Sequence, residues 1–297
     1  MAQGPIVFDR DLLRARRARA EALGPATFLL EQVAADVAER LSTVLRRFSL
    51  AADLGTPGDQ LRRALSGADT IVAMDTRFAP ADAGGALRVV GDLEALPFGD
   101  SVFDVAVSGL ALQFVNDLPG TLAQIRRALK PDGLFMAALV GGSSLGELRE
   151  SFAAAEAEVE GGVSPRVAPF VDVRELGALL QRAGFALPVT DVDRIVVRYA
   201  SPLDLMHDLR RMGATNALVE RRRKPLRRAT LNRMMEIYGA RYSDADGRVH
   251  ATFEIVWLAG WAPHESQQKP LAPGSAKTRL ADALGTREIS TGEKSGR

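Results

Sequence analysis

Apolar residues along this chain follow two spacings, and the switch between them divides it. Over residues 9–47 they recur three or four apart (Leu12, Leu13; Phe28, Leu29, Val33, Val37, Leu41, Leu45) in an Arg-, Ala- and Glu-rich background. That period predicts two helices, split at Gly24-Pro25. Apolar bursts of strand length follow at 48–54, 70–74, 87–90, 102–108 and 133–140, with helical spacing at 58–66 and 118–129. Strands apolar on both faces and alternating with helices belong in a parallel sheet covered on both sides. Lys130-Pro131-Asp132-Gly133 is expected to be a tight turn that ends one helix and launches the next strand.

After residue 140 the alternation changes. A loop becomes a helix within 141–162, a second helix runs over 171–183 and is closed by Gly184, and 186–199 alternates apolar with polar. Helical spacing returns at 203–212 and 230–242, before a last strand at 250–261. The expected fold is therefore α/β: a doubly wound, mostly parallel seven-stranded sheet with N-terminal helices and a helical insert. Its expected parts are a helical cap at 1–47, a core at 48–200 and 246–264, an insert or lid at 201–245, and a loosely held tail at 265–297. The tail carries Pro270, Pro273, Gly274, Ser275, Gly285 and Gly292 with little periodicity.

Composition narrows the chemistry. With 46% hydrophobic residues over 297, the chain can bury a full α/β core. Its net charge of +1 supplies no global field toward nucleic acid or membrane. The absence of cysteine removes disulfides, zinc–thiolate sites, iron–sulfur ligation and thiol nucleophiles together. No apolar run approaches the roughly twenty residues that cross a bilayer, and the start lacks a signal-peptide segment. A cytoplasmic protein with no transmembrane segment is expected. The dense run Arg221-Arg222-Arg223-Lys224, with Arg227 and Arg228, has no aromatic interleaved for base stacking, so a protein-docking patch or solvated surface is expected rather than nucleic-acid binding.

In a doubly wound sheet the ligand lies beyond the carboxyl ends of the strands. Gly55, Asp75, Asp92 and Ser108 occupy those ends. A carboxylate closing the second strand suits a ribose, whose two hydroxyls it can accept, and Asp75 fits. Any one such aspartate is by default a cap or turn residue; the ordered set carries the signal. The loop Asp53-Leu54-Gly55-Thr56-Pro57-Gly58-Asp59 opens a helix as a nucleotide loop would, yet Pro57 removes an amide donor and Asp59 adds a negative charge.

Asp53-Leu54-Gly55, Asp75, Gly91-Asp92-Leu93-Glu94-Ala95-Leu96-Pro97-Phe98, Phe103-Asp104-Val105 and Leu129-Lys130-Pro131-Asp132-Gly133 resemble the signature segments of class I S-adenosylmethionine-dependent methyltransferases. Phe8-Asp9-Arg10, Val115-Asn116-Asp117-Leu118-Pro119, Gly141-Gly142, Gly161-Gly162-Val163-Ser164-Pro165, Ala168-Pro169-Phe170, His264-Glu265-Ser266-Gln267 and Pro273-Gly274-Ser275-Ala276 are similar to the respiratory complex I assembly factor subgroup. The resemblance runs from about residue 8 to 276. It implies a Rossmann-like fold, S-adenosylmethionine as cofactor, and Asp53, Gly55, Asp75, Asp92, Leu93 and Ser108 as its binding residues. It also implies a protein substrate, a complex I subunit, with any membrane association peripheral and through that partner. The mitochondrial member of the subgroup is an arginine hydroxylase.

Two departures stand against that pattern. The subgroup's Asp-Leu-Gly-Cys-Gly-x-Gly loop has lost two glycines here, which is expected to weaken cofactor binding, and Gln113 stands where related proteins often carry a histidine. Hydroxylation calls for an oxidant such as iron on two histidines and a carboxylate, whereas His207, His250 and His264 are widely spaced; no metal site is expected. Three functions stay open: an enzyme modifying a respiratory subunit, a non-catalytic assembly scaffold, and a small-molecule methyltransferase acting on carrier-bound acyl chains or quinones.

Overall fold

A computed structural model describes residues 5–77, 85–268 and 280–287. Seven strands form one sheet in the order β3-β2-β1-β4-β5-β7-β6. β1 (Leu50–Leu54), β2 (Thr70–Asp75), β3 (Leu87–Val90), β4 (Phe103–Gly109) and β5 (Leu129–Gly141) run parallel. β7 (Val249–Trp261) lies antiparallel between β5 and β6 (Ala186–Tyr199). Strand order reverses between β1 and β4, which places the crevice for a ligand beyond their carboxyl ends.

Helix faces close both sides of the sheet. α1 (Arg10–Ala22) and α2 (Phe28–Ser42) precede the strands; Leu30, Val33 and Val37 of α2 pack with Val105, Val107, Met136 and Trp257. α3 (Gln60–Ala64) adds Leu61 to that face. α4 (Leu118–Ala128) covers the other face through Leu122 and Ile125, and α6 (Val173–Arg182) through Leu176 and Leu180. α5 (Gly146–Glu160), α7 (Pro202–Arg211) and α8 (Arg228–Tyr242) form a third cluster, in which Phe152, Leu205, Met234 and Tyr238 meet Phe253 of β7. At about 25 cal/mol per Å² of apolar surface, such fully buried Leu and Phe side chains stabilise the fold by about 1.5–3 kcal/mol each.

Helix starts are fixed by short polar side chains. Asp9, Asp117, Asp172 and Ser201 each accept the amide hydrogen bond of a first-turn residue. Three expectations are corrected. Lys130-Pro131-Asp132-Gly133 does not separate α4 from β5: it sits within the strand as an irregularity that shifts the β4 register, with Asp132 left-handed at φ 62°. The helix expected over 58–66 shrinks to α3, because Pro57 and Gly58 hold the preceding loop away from helical geometry. The first strand begins at Leu50 rather than 48.

The start of the chain is tied across the molecule. Asn116 Oδ1 accepts from the Val7 and Phe8 amides, both at 2.8 Å, and Phe8 pairs with Leu218 of the insert. Among the described residues no helix is long and apolar enough to cross a membrane. Residues from His264 onward form a separate unit with one short helix, α9 (Leu280–Leu284). Of the tail, Pro270, Pro273-Gly274-Ser275-Ala276 and Gly292 lie outside the described residues.

Candidate functional site

β1 delivers its backbone to the crevice through Gly55 and Gly58, both left-handed at φ 72° and 101°. A Cβ on Gly55 would lie 2.9 Å from Leu93 Cδ1, so the close approach of loop and Leu93 requires glycine. The expected loss of the glycine pattern is therefore partial. Thr56 turns inward, where its Oγ1 accepts from the Gly109 amide at 2.9 Å and fastens the loop to β4. Ser108 Oγ donates to the Leu54 carbonyl at 2.7 Å.

Next to this loop lies a cavity of about 680 Å³. Its lining includes a loop set, Pro57, Gly58, Asp59, Gln60, Asp75 and Gln113, and an apolar set, Leu148, Phe152, Met206, Leu226, Leu231 and Phe253. Of the six expected binding residues, only Asp75 lines it. Asp75 Oδ1 accepts from its neighbour's amide, Thr76 N, at 2.6 Å. Leu93 instead lines an adjoining cleft of about 20 Å³, together with Leu13, Arg14 and Arg17 of α1. Asp92 faces Arg10 at 2.6 Å. Asp53, 1% exposed, turns to Arg62 at 3.1 Å, and Ser108 is spent on the Leu54 carbonyl. Asp53, Gly55 and Ser108 thus belong to the loop and its supports and do not line the cavity.

Electrostatics explains two of these placements. Burial pushes the Asp53 carboxyl up to about 6, with the Thr56 hydroxyl and Arg62 pulling it back. The charge expected at Asp59 to repel a cofactor carboxylate is paired: Arg63 lies 2.6 Å away, and its hydrogen bond lowers the Asp59 pKa. Arg17 sits over the Phe114 ring at 5.9 Å; burial lowers its pKa, while the Asp75 charge opposes that.

Gln60 Oε1 and Gln113 Oε1 are buried and accept no hydrogen bond. Gln113 Nε2 donates to the Leu110 carbonyl at 2.8 Å, which fixes the amide and leaves its oxygen as a bare acceptor. A buried acceptor without a donor costs about 1–3 kcal/mol, so two on one cavity call for a ligand rich in N–H or O–H groups. S-adenosylmethionine, with an ammonium and two ribose hydroxyls, fits that donor set. Neither Gln60 nor Arg17 was signalled by the sequence pattern. Gln113 was legible only as a departure.

Residues 52–137 match a methyltransferase domain. Over 295 residues the chain is 39% identical to arginine-hydroxylase NDUFAF5, mitochondrial, of Danio rerio, covering 94% of this chain and 90% of that one. The chain belongs to that family. NDUFAF5-family membership and the seven-stranded sheet place it in the class I S-adenosylmethionine-dependent methyltransferase superfamily. A malonyl-[acyl-carrier protein] O-methyltransferase of Laribacter hongkongensis is 38% identical over 186 residues, 63% of this chain and 60% of that one. Among solved structures, the YcgJ protein of Bacillus subtilis superposes with a TM-score of 0.54 at 13% identity, over 77% of this chain and 99% of that one, a likeness of fold alone. Among the described residues no three His, Asp or Glu side chains are grouped to hold a metal ion. Only His207 of the histidines lines the cavity.

Proposed function

We propose that this chain uses S-adenosylmethionine to modify a respiratory complex I subunit during assembly, in the cytoplasm, with residues 201–245 as the lid of its site. The observation that carries the reading is one cavity in which two donor-hungry amides and Asp75 adjoin an apolar chamber. Asp75 would hold the ribose hydroxyls, and Gln60 and Gln113 would accept from the ligand's remaining donors; Asp53, Gly55, Ser108 and Leu93 shape the loop and cleft around them. The cofactor supplies an electrophilic methyl group. The chain's own residues align the acceptor with it, and the lid excludes water. The relatives named as arginine hydroxylases raise hydroxylation as the modification, but the described residues offer no iron-holding set through which to derive it.

Calorimetry tests the reading. Micromolar S-adenosylmethionine binding that falls at least about tenfold in Asp75→Ala, the loss of about 1.4 kcal/mol, supports it. No heat at submillimolar cofactor rejects it. The scaffold alternative is favoured by α1, whose Leu13 and Arg17 reduce the cleft at Leu93 to about 20 Å³; it predicts that same silence together with retained binding to the partner. Methyl transfer to a malonyl-carrier protein would instead favour the small-molecule reading that the Laribacter relative raises.

A further inference from the structure

The cleft beside Leu93 is walled on one side by α1. It lies between the ends of β2 and β3, at Thr76 and Leu93, and Arg10, Leu13, Arg14 and Arg17 of α1 face it. At about 20 Å³ it is the size of about one water molecule. A nucleoside whose ribose rests on Asp75 has to place its base close by, and a purine is far too large for that space. Arg17 and Phe114 line both the cleft and the large cavity, and the guanidinium lies 5.9 Å from the ring centroid. That stacked pair is the partition between the two.

Little holds this partition shut. Among the described residues the Arg17 guanidinium makes no hydrogen bond and no ion pair; burial lowers its pKa, with the Asp75 charge opposing. Moving it into water restores hydration that the closed position denies it. α1 buries only Leu13 and Ala20, against five residues of α2. Its two ends are fastened instead by ion pairs to the strand ends that flank the cleft. Arg10 pairs with Asp92 at 2.6 Å and with Glu94 at 3.1 Å, and Glu21 with Arg77 at 2.7 Å. All three pairs are partly open to solvent, so each is weak and salt-sensitive. α1 stays tethered when they part: Asp9 pairs with Arg221 at 3.1 Å, and the Arg211 guanidinium donates to the Gly24 carbonyl at 2.7 Å. Gly24, left-handed at φ 79° with open space around it, supplies a pivot after the helix.

We infer that α1 is a strap over the base subsite of the cofactor: it lifts to admit the nucleoside, whose base takes the place of Arg17 on the Phe114 ring. The inference rests on the proposed cofactor and deepens it by naming what regulates its entry. Asp92 then has two states, paired with Arg10 when the strap is down and free for the ligand when it is up. A ring on a ring replaces a guanidinium on a ring and leaves no buried charge behind. A ligand that binds only the open form has its affinity reduced by the open fraction, so whatever opens the strap tightens binding by the same factor.

The chain has no cysteine, so Leu93→Cys places a single thiol in the cleft. Its labelling by dithiobis(nitrobenzoate) reads strap opening without any cofactor. Arg10→Gln/Arg77→Gln, which removes all three ion pairs, is expected to speed labelling at least about threefold. It is expected to tighten S-adenosylmethionine binding by the same factor, measured by calorimetry in the chain without the added thiol. Raising salt from about 50 to about 500 mM is expected to speed labelling too, and this arm decides if the double variant fails to fold. Saturating S-adenosylmethionine is expected to protect the thiol. Labelling that neither the variant nor salt accelerates overturns the inference even where the cofactor binds, and so does faster labelling with unchanged cofactor affinity. A thiol left equally reactive by bound cofactor overturns it too. Faster labelling with no S-adenosylmethionine heat in either background defeats the cofactor reading and leaves the strap.

Discussion

At residue 57 the loop is stiffened, while at residue 59 its added charge is already answered. Arg63 pairs with Asp59, so Asp59→Gly removes little net repulsion and is expected to change S-adenosylmethionine affinity less than about threefold. Pro57→Gly restores an amide donor and is expected to tighten binding several-fold; unchanged affinity in calorimetry would refute the argument. Asp53 offers a second residue-scale test. Its raised pKa means that the folded state binds a proton more tightly than the unfolded chain, so its contribution is full below about 4 and is lost as pH climbs to about 6. Between pH 5 and 7 the wild type should therefore lose about 1.4 kcal/mol relative to Asp53→Asn, measured by urea denaturation at both pH values. Asp75 and Asp92 were legible from their place at strand ends, and Asp53 from the loop motif that follows the first strand. Which of them lines the cavity was not legible, because that depends on Arg62 and Arg10 reaching back from other elements.

Among the elements, α1 does the most that a sequence pattern cannot foretell. Its helical spacing was plain, but its position over Leu93 depends on Asn116, more than a hundred residues away, accepting the Val7 and Phe8 amides. Asn116→Ala leaves both donors without that partner and should destabilise the N-terminal segment by about 1–3 kcal/mol. The expected readout is faster hydrogen exchange over residues 5–22 with β1 and β4 unaffected; uniform exchange would show that the tie is dispensable. Strands β2 and β3 were legible because their apolar stretches are too short for a helix and rich in β-branched residues, Ile71 and Val72 in one and Val89 and Val90 in the other. The irregularity at Lys130–Gly133 was not, since Pro and Gly mark a turn whether or not a strand continues through it.

For the molecule as a whole, one ligand-holding cavity implies coupling between cofactor and stability. If S-adenosylmethionine binds only the folded chain, a concentration one hundred times its Kd should raise stability by about 2.7 kcal/mol. A thermal shift present in the wild type and absent in Asp75→Ala is the expected result; no shift in either would contradict the cavity assignment. The fold class was readable from the alternation of bursts and periods. The cavity's mixed lining was not, because its apolar residues come from four separate elements, α5, α7, α8 and β7, that only the fold brings together.

The pairing of Phe8 with Leu218 also orders events in time. A ribosome adding about 5–20 residues per second needs roughly 10 to 40 s to pass from one to the other. Throughout that interval Phe8 has been made without its bridge partner, although Asn116, which accepts the Val7 and Phe8 amides, is already present for the second half of it. The bridge from Phe8 to Leu218 therefore closes only after Leu218 has been synthesised.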